Sequence, residues 1–240
     1  MPIVDGAGVP LSYEASGSGP PVLLVHGIGT GRAAWGATAA ALAADARVVA
    51  YDRRGYGASG TPEPYTRTTV SEQAEDAAAL LAALGAAPAV ACGADLGALV
   101  VLDLLLRHPG VVSAAVLVDA SAFPLVAEAT AALAAEREML ETALRDEGPG
   151  PAIAAWAALR GVARVAPDVP ARVFFADYGA QPTLPLSRRE LRGLEVPVAV
   201  IDGPAPPGYV RAAGDALAAL LPRSRRGGTE DPAAAVRALL

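Results

Sequence analysis

Short, continuous apolar runs alternate along the chain with longer stretches in which apolar positions recur every three to four residues. The runs "PPVLLVHG" (20–27), "RVVAYD" (47–52), "PAVACGA" (88–94), "VSAAVLVDA" (112–120) and "VPVAVIDG" (196–203) lack polar alternation. That pattern is expected of strands buried on both faces. The stretches between them read as helices: "GRAAWGATAAALAA" (31–44), "SEQAEDAAALLAALG" (71–85) with its Gly stop, "LGALVVLDLLLRH" (96–108) ended before Pro109, then "GYVRAAGDALAALL" (208–221) and "DPAAAVRALL" (231–240). Strands alternating with helices predict an α/β fold, a mostly parallel doubly wound sheet covered on both faces. The N-terminal "PIVDGAGVPLSYEAS" alternates around turn glycines and predicts an antiparallel hairpin leading in.

Residues 121–194 break this rhythm. They hold two helical stretches, "AEATAALAAEREMLETALRD" (127–146) and "GPAIAAWAALRGVARV" (150–165), followed by the aromatic "VFFADYG" (173–179). The expected organisation is a single domain, with residues 1–120 and 195–240 as the core and 121–194 as a lid above the carboxyl ends of the strands. Trp156, Phe174, Phe175 and Tyr178 are candidates to line a mostly apolar pocket for a small molecule, although packing the lid onto the body accounts for any one of them equally well.

Composition narrows the function classes. At 240 residues, 53% hydrophobic and 18% charged, the chain can bury a full core and is not a disordered segment. No apolar run approaches the ~18 residues that span a bilayer, and "MPIVDGAGVP" lacks the basic flank and apolar centre of a signal peptide. With Cys92 as the one cysteine, no intrachain disulfide and no thiolate metal site can form. These features predict a cytoplasmic protein with no membrane association, no metal and no cofactor; oligomeric state is left open. The net charge of −6 argues against a nucleic-acid partner, and the short cluster Arg223, Arg225 and Arg226 reads as a solvated edge strand or loop.

The chemistry centres on "VACGADLGAL" (90–99), where a buried strand runs through Gly93-Ala94-Asp95-Leu96-Gly97 into a helix. Together with "HGIG" (26–29) and "YDRRGYGAS" (51–59) after the two preceding strands, this order resembles the α/β-hydrolase superfamily nearly end to end. The resemblance implies that 93–97 is a nucleophile elbow, a strained strand-to-helix turn that lifts one side chain into the pocket. It implies an oxyanion-type hole from the N–H groups of Ile28 and Leu96, with His26 and Gly27 supporting the loop against the substrate, and Asp52 and Arg53 bracing it. The acid of the family's triad is expected at Asp202, with Asp119 as the other position.

Two of the three triad positions depart from the family. The elbow carries an aspartate, as in haloalkane dehalogenases and soluble epoxide hydrolases, and the histidine expected before the last helix is replaced by "GGTE" (227–230). The other histidine, His108, sits at a helix end, where it reads as a cap. Leu96 stands where dehalogenases carry a halide-holding Trp, and only Tyr178, with Tyr209 as a stand-in, matches the tyrosine pair of epoxide hydrolases. The preferred expectation is a non-hydrolytic enzyme: an isomerase, epimerase, cyclase or lyase that uses Asp95 as acid or base on a small, mostly apolar, natural-product-like substrate. The alternatives are an Asp-nucleophile hydrolase, with Glu230 or Asp202 activating water, and a non-catalytic binding protein. The missing serine and histidine together predict no appreciable esterase turnover.

Overall fold

A computed structural model of the chain describes residues 1–162 and 165–240. Eight strands form one sheet: β1 (Ile3–Asp5), β2 (Pro10–Ser16), β3 (Pro21–Val25), β4 (Arg47–Tyr51), β5 (Ala89–Ala94), β6 (Val112–Val118), β7 (Val198–Ile201) and β8 (Ser224–Arg226). Their order is β1-β2-β4-β3-β5-β6-β7-β8. The first two strands pair antiparallel, and everything from β4 to β8 is parallel. The helices are α1 (Gly36–Leu42), α2 (Val70–Ala83), α3 (Leu96–Arg107), α4 (Ala129–Asp146), α5 (Pro149–Arg160), α6 (Ala171–Ala180), α7 (Arg188–Arg192), α8 (Gly208–Ala218) and α9 (Pro232–Arg237).

The continuous apolar runs are explained by cover on both faces. Leu23 and Val25 of β3 join a core with α2, α3 and α8, while their neighbours Val22 and Leu24 pack on the other face with Leu42 of α1 and Val236 of α9. Residues of both parities are therefore dry, so no polar alternation survives in the sequence. The start of α2 is fixed by a reciprocal cap: Thr69 Oγ1 accepts from Glu72 N–H at 3.1 Å, and Thr69 N–H donates to Glu72 at 2.8 Å.

Several elements differ from the sequence expectation. Residues 32–35 form a tight turn, and α1 begins only at Gly36. The aromatic "VFFADYG" lies within helix α6. The stretch 150–165 is helical only to Arg160, where Gly161 at φ 67° closes it; Ala163 and Arg164 of that stretch lie outside the described residues. The basic cluster, by contrast, holds the edge strand it was read to offer: Ser224–Arg226 is β8, and Arg226 pairs with Asp202 and Asp215.

The strand order also places the site. The connection from β3 leads outward to β4, and the chain then returns across β3 to form β5. The crevice at the carboxyl ends of β3 and β5 is thus a topological switch point, where open α/β sheets bind ligands. Val25 is in register with Gly93, so the residues following both strands, 26–29 and 94–97, face one another.

Candidate active site

Asp95 sits at the turn between β5 and α3 with φ 51° and ψ −116°, in the left-handed region that costs a non-glycine residue about 1–3 kcal/mol. The backbone around it is packed too closely for side chains. A Cβ on Gly97 would lie 2.3 Å from the Val25 carbonyl oxygen, and one on Gly93 would lie 2.2 Å from the Gly97 carbonyl oxygen. Because the opposing atoms are main chain, Gly97→Ala is expected to lower unfolding free energy by about 3 kcal/mol, the upper end of overpacking costs, read from the urea midpoint.

Each oxygen of the Asp95 carboxylate accepts a hydrogen bond. Ile28 N–H donates to Oδ2 at 3.2 Å, and Ser121 Oγ donates to Oδ1 at 2.8 Å. The carboxylate faces a cavity of about 360 Å³, within the size range of small-ligand sites. Its lining includes His26, Gly27, Ile28, Asp119, Trp156 and Arg160.

The loop that carries Ile28 is held by a buried polar network. His26 is 1% exposed; its Nε2 accepts from Arg53 N–H at 3.0 Å and its Nδ1 is 2.9 Å from the Gly27 carbonyl. The first contact fixes the proton on Nδ1, which donates to that carbonyl. Burial, with the Arg53 charge added, holds the imidazole well below its usual pKa, so it stays neutral. The Arg53 guanidinium donates to the His26 and Gly27 carbonyls, both at 2.8 Å, and pairs with Asp177 of α6 at 2.7 Å. Asp177 also accepts from Tyr56 Oη at 2.7 Å and Gln73 Nε2 at 2.9 Å. Arg53 and Asp177 are both fully buried; burial works against the Arg53 charge, and Asp177, with Tyr56 and Tyr51, more than offsets it.

Asp119, at φ 48° just after β6, lines the same cavity and accepts from Gly203 N–H at 2.9 Å. Burial raises its carboxyl pKa; the Gly203 hydrogen bond opposes this, while the charges of Asp202 and Asp95 add to it. Asp202, the expected acid, is drawn away: both its oxygens take Arg226 Nη2, at 3.0 and 2.8 Å, and it does not line the cavity. Asp119, and not Asp202, is thus the carboxylate that shares the cavity with Asp95, because β8 supplies an arginine to Asp202. Glu230, in the place of the missing histidine, is an exposed residue at the cavity rim. His108 lies 3.1 Å from Glu75 and is not part of the lining.

Of the expected aromatic lining, Trp156 is present and fully buried. Phe175 and Tyr178 are not in this lining; they border a separate, mostly apolar cavity of about 690 Å³ beside α4. The reason is helical phase. Val173, Phe174 and Asp177 occupy the buried face of α6, which turns positions 175 and 178 toward α4. Tyr209 donates to Glu136 at 2.8 Å, and burial, with the same carboxylate facing it, pushes the Tyr178 hydroxyl pKa up to about 12. Neither tyrosine lines the Asp95 cavity, so the epoxide-opening pair is not assembled there. The Leu96 side chain is buried in the core, and its N–H lies at the first turn of α3, where it has no intrahelical partner. Sequence reasoning missed Ser121, Arg160, Glu136 and Asp177, since each meets its partner across more than twenty residues. Among the described residues, no group of three or more His, Cys, Asp or Glu side chains is arranged to hold a metal ion.

Comparison with known proteins places this geometry in context. A family model described as "alpha/beta hydrolase fold" matches residues 20–185. Over 102 residues the chain is 39% identical to the Bacillus subtilis (strain 168) protein named uncharacterized hydrolase YraK, a match covering 42% of this chain and 38% of that protein. The matches to the first curated relatives span 38–40% of those proteins' lengths. Solved structures align nearly end to end. An alpha/beta hydrolase from Sphaerobacter thermophilus DSM 20745 is 28% identical with a TM-score of 0.72, covering 99% of this chain and 98% of that one. The esterase RhEst1 from Rhodococcus sp. ECU1013 is 28% identical with a TM-score of 0.68, covering 98% and 95%.

Proposed function

The chain belongs to the α/β hydrolase fold family, and from that premise we propose that it is an enzyme in which Asp95 is a nucleophile and Asp119 its acid–base partner. The substrate is a small, mostly apolar molecule with an electrophilic carbon, and residues 121–194 form the lid over it. The observation that carries this reading is the 3.2 Å bond from Ile28 N–H to Asp95 Oδ2. In the expected proton-transfer enzyme, that amide should stay open for an oxygen of the substrate. Here it holds the carboxylate's own oxygen, which is where negative charge collects when an ester formed on Asp95 is attacked by water.

Asp95 Oδ1 forms a bond to the substrate carbon, and the leaving group departs with the bonding pair. Asp119, as carboxylate, takes a proton from water, whose oxygen adds to the Asp95 ester carbon. The resulting oxyanion rests on Ile28 N–H. Its collapse expels Asp95 Oδ1, now bonded to the substrate carbon, as the product's alkoxide, which takes the proton back from Asp119. Asp95, left as a carboxylic acid holding the water oxygen, releases its proton to solvent, which balances the departed leaving group. Carboxylate pairs divide nucleophile and acid–base roles in this way in glycoside hydrolysis. A pKa raised by burial makes Asp119 a stronger base than an ordinary carboxylate. Because Asp119 must be ionised, turnover falls as pH drops through an ionisation above the usual carboxylate range.

Asp119→Asn removes the water activator and leaves the nucleophile. Incubated with a p-nitrophenyl ester, an epoxide or a haloalkane, this variant is expected to retain an adduct in the intact mass with at least one of the three. Asp95→Asn retains none. Wild-type turnover with no adduct on Asp119→Asn contradicts the reading.

One observation favours the second reading, proton transfer without a covalent step. His26 is the one histidine in the cavity lining among the described residues, and both its nitrogens are engaged by the main chain. No imidazole is therefore available to clear an ester, and this reading expects conversion of substrate with no adduct on any variant.

A further inference from the structure

Arg160 is the one guanidinium among the described residues that line the Asp95 cavity, whose ionised members are otherwise acidic: Asp95, Asp119 and Glu230. It closes α5, and its side chain is 5% exposed. Two of its nitrogens are committed to the buried carboxylate of Glu136, Nε at 2.6 Å and Nη2 at 3.1 Å. Among the described residues Nη1 has no partner. The Glu136 fork holds the group, whose centre also lies 5.1 Å from the ring of Phe123, 5.3 Å from Tyr209 and 5.7 Å from Trp156. Burial works against the cation, and Glu136 and the more distant Asp95 restore it.

Glu136 supplies the counter-charge, and the remaining Nη1 edge is a charged donor that an anionic acceptor matches best. The same lining carries the apolar side chains of Ile28, Val118, Val162 and Val210. We infer that Arg160 recognises an anionic end group, and that the substrate is a small organic acid whose carboxylate sits on Nη1 while its apolar body reaches Asp95. This rests on the assignment of the Asp95 cavity as the substrate site. It does not depend on which chemistry follows.

The two tryptophans of the chain, Trp35 and Trp156, both line the cavity, so intrinsic fluorescence reports its occupancy. The probes are phenylacetate and its uncharged counterpart phenylacetamide. Wild type is expected to bind phenylacetate about tenfold or more tightly than the amide, the scale of one hydrogen bond to a charged group. In the Glu136→Gln, Arg160→Met double variant, which leaves no buried charge unpaired, that preference disappears. In Asp95→Asn it persists. Equal binding of the two probes to wild type, no saturable binding of either, or a preference that survives in the double variant would overturn the inference. These are equilibrium readings in which no bond forms. Missing adducts at Asp95 with the preference intact defeat the nucleophile reading alone.

Discussion

Asp177→Ala is expected to destabilise the protein by about 3–5 kcal/mol, the cost of stripping one partner from a buried ion pair. The loss leaves the fully buried Arg53 guanidinium without its counter-charge, and Tyr56 and Gln73 without their common acceptor. At roughly 2–4 °C per kcal/mol for a chain of this size, the thermal midpoint should fall by about 6–20 °C. The consequence reaches the site, because the same guanidinium holds the His26 and Gly27 carbonyls and so sets where Ile28 N–H points. Helix α6 is therefore tied to the loop beneath it through one aspartate. Asp177→Asn, which keeps the shape and one acceptor oxygen, should recover part of the loss. A thermal midpoint unchanged in Asp177→Ala would show that the pair does not hold the two segments together.

Asp95→Asn is expected to have the largest effect on activity, a loss of roughly 10⁴-fold or more in kcat, the scale at which nucleophile removal falls. Binding should change little. Asparagine keeps the volume and an acceptor oxygen for Ile28 N–H, but its amide does not displace a leaving group. The unfolding midpoint should likewise stay close to wild type, which separates this variant from Asp177→Ala. A rate reduced only ~10²–10⁴-fold, with no adduct on any variant, would instead match loss of a general base.

The fold was legible in the sequence because burial on both faces erases alternation and leaves continuous apolar runs, which turned out to be β3 to β7. The edge strand β8 was legible only as an edge strand or loop, since its three residues Ser224–Arg226 are polar and pair with β7 alone. At the site, the paired glycines announced the turn at Asp95, and close main-chain approach is the physical reason that only glycine fits there. Choosing between Asp119 and Asp202 was beyond the sequence, because both follow strands and only Arg226, twenty-four residues on, draws Asp202 aside. Phe175 and Tyr178 were placed by composition, whereas their direction depends on which face of α6 meets the body. The occupant of the oxyanion-type hole was equally hidden: Ile28 and Asp95 are 67 residues apart, and their meeting turns an expected substrate contact into one within the protein.

Oxygen-18 tracing tests the central claim most directly. Wild-type protein is run through many turnovers, in water enriched in oxygen-18, on whichever of the three probe substrates it converts, then cleaved at arginine, and the peptide containing Asp95 is weighed. If Asp95 is the nucleophile, water enters at its carboxyl carbon in every cycle, so the peptide gains the heavy oxygen and the product of the first turnover carries an oxygen taken from the enzyme. A labelled product alongside an unlabelled Asp95 peptide would contradict the account.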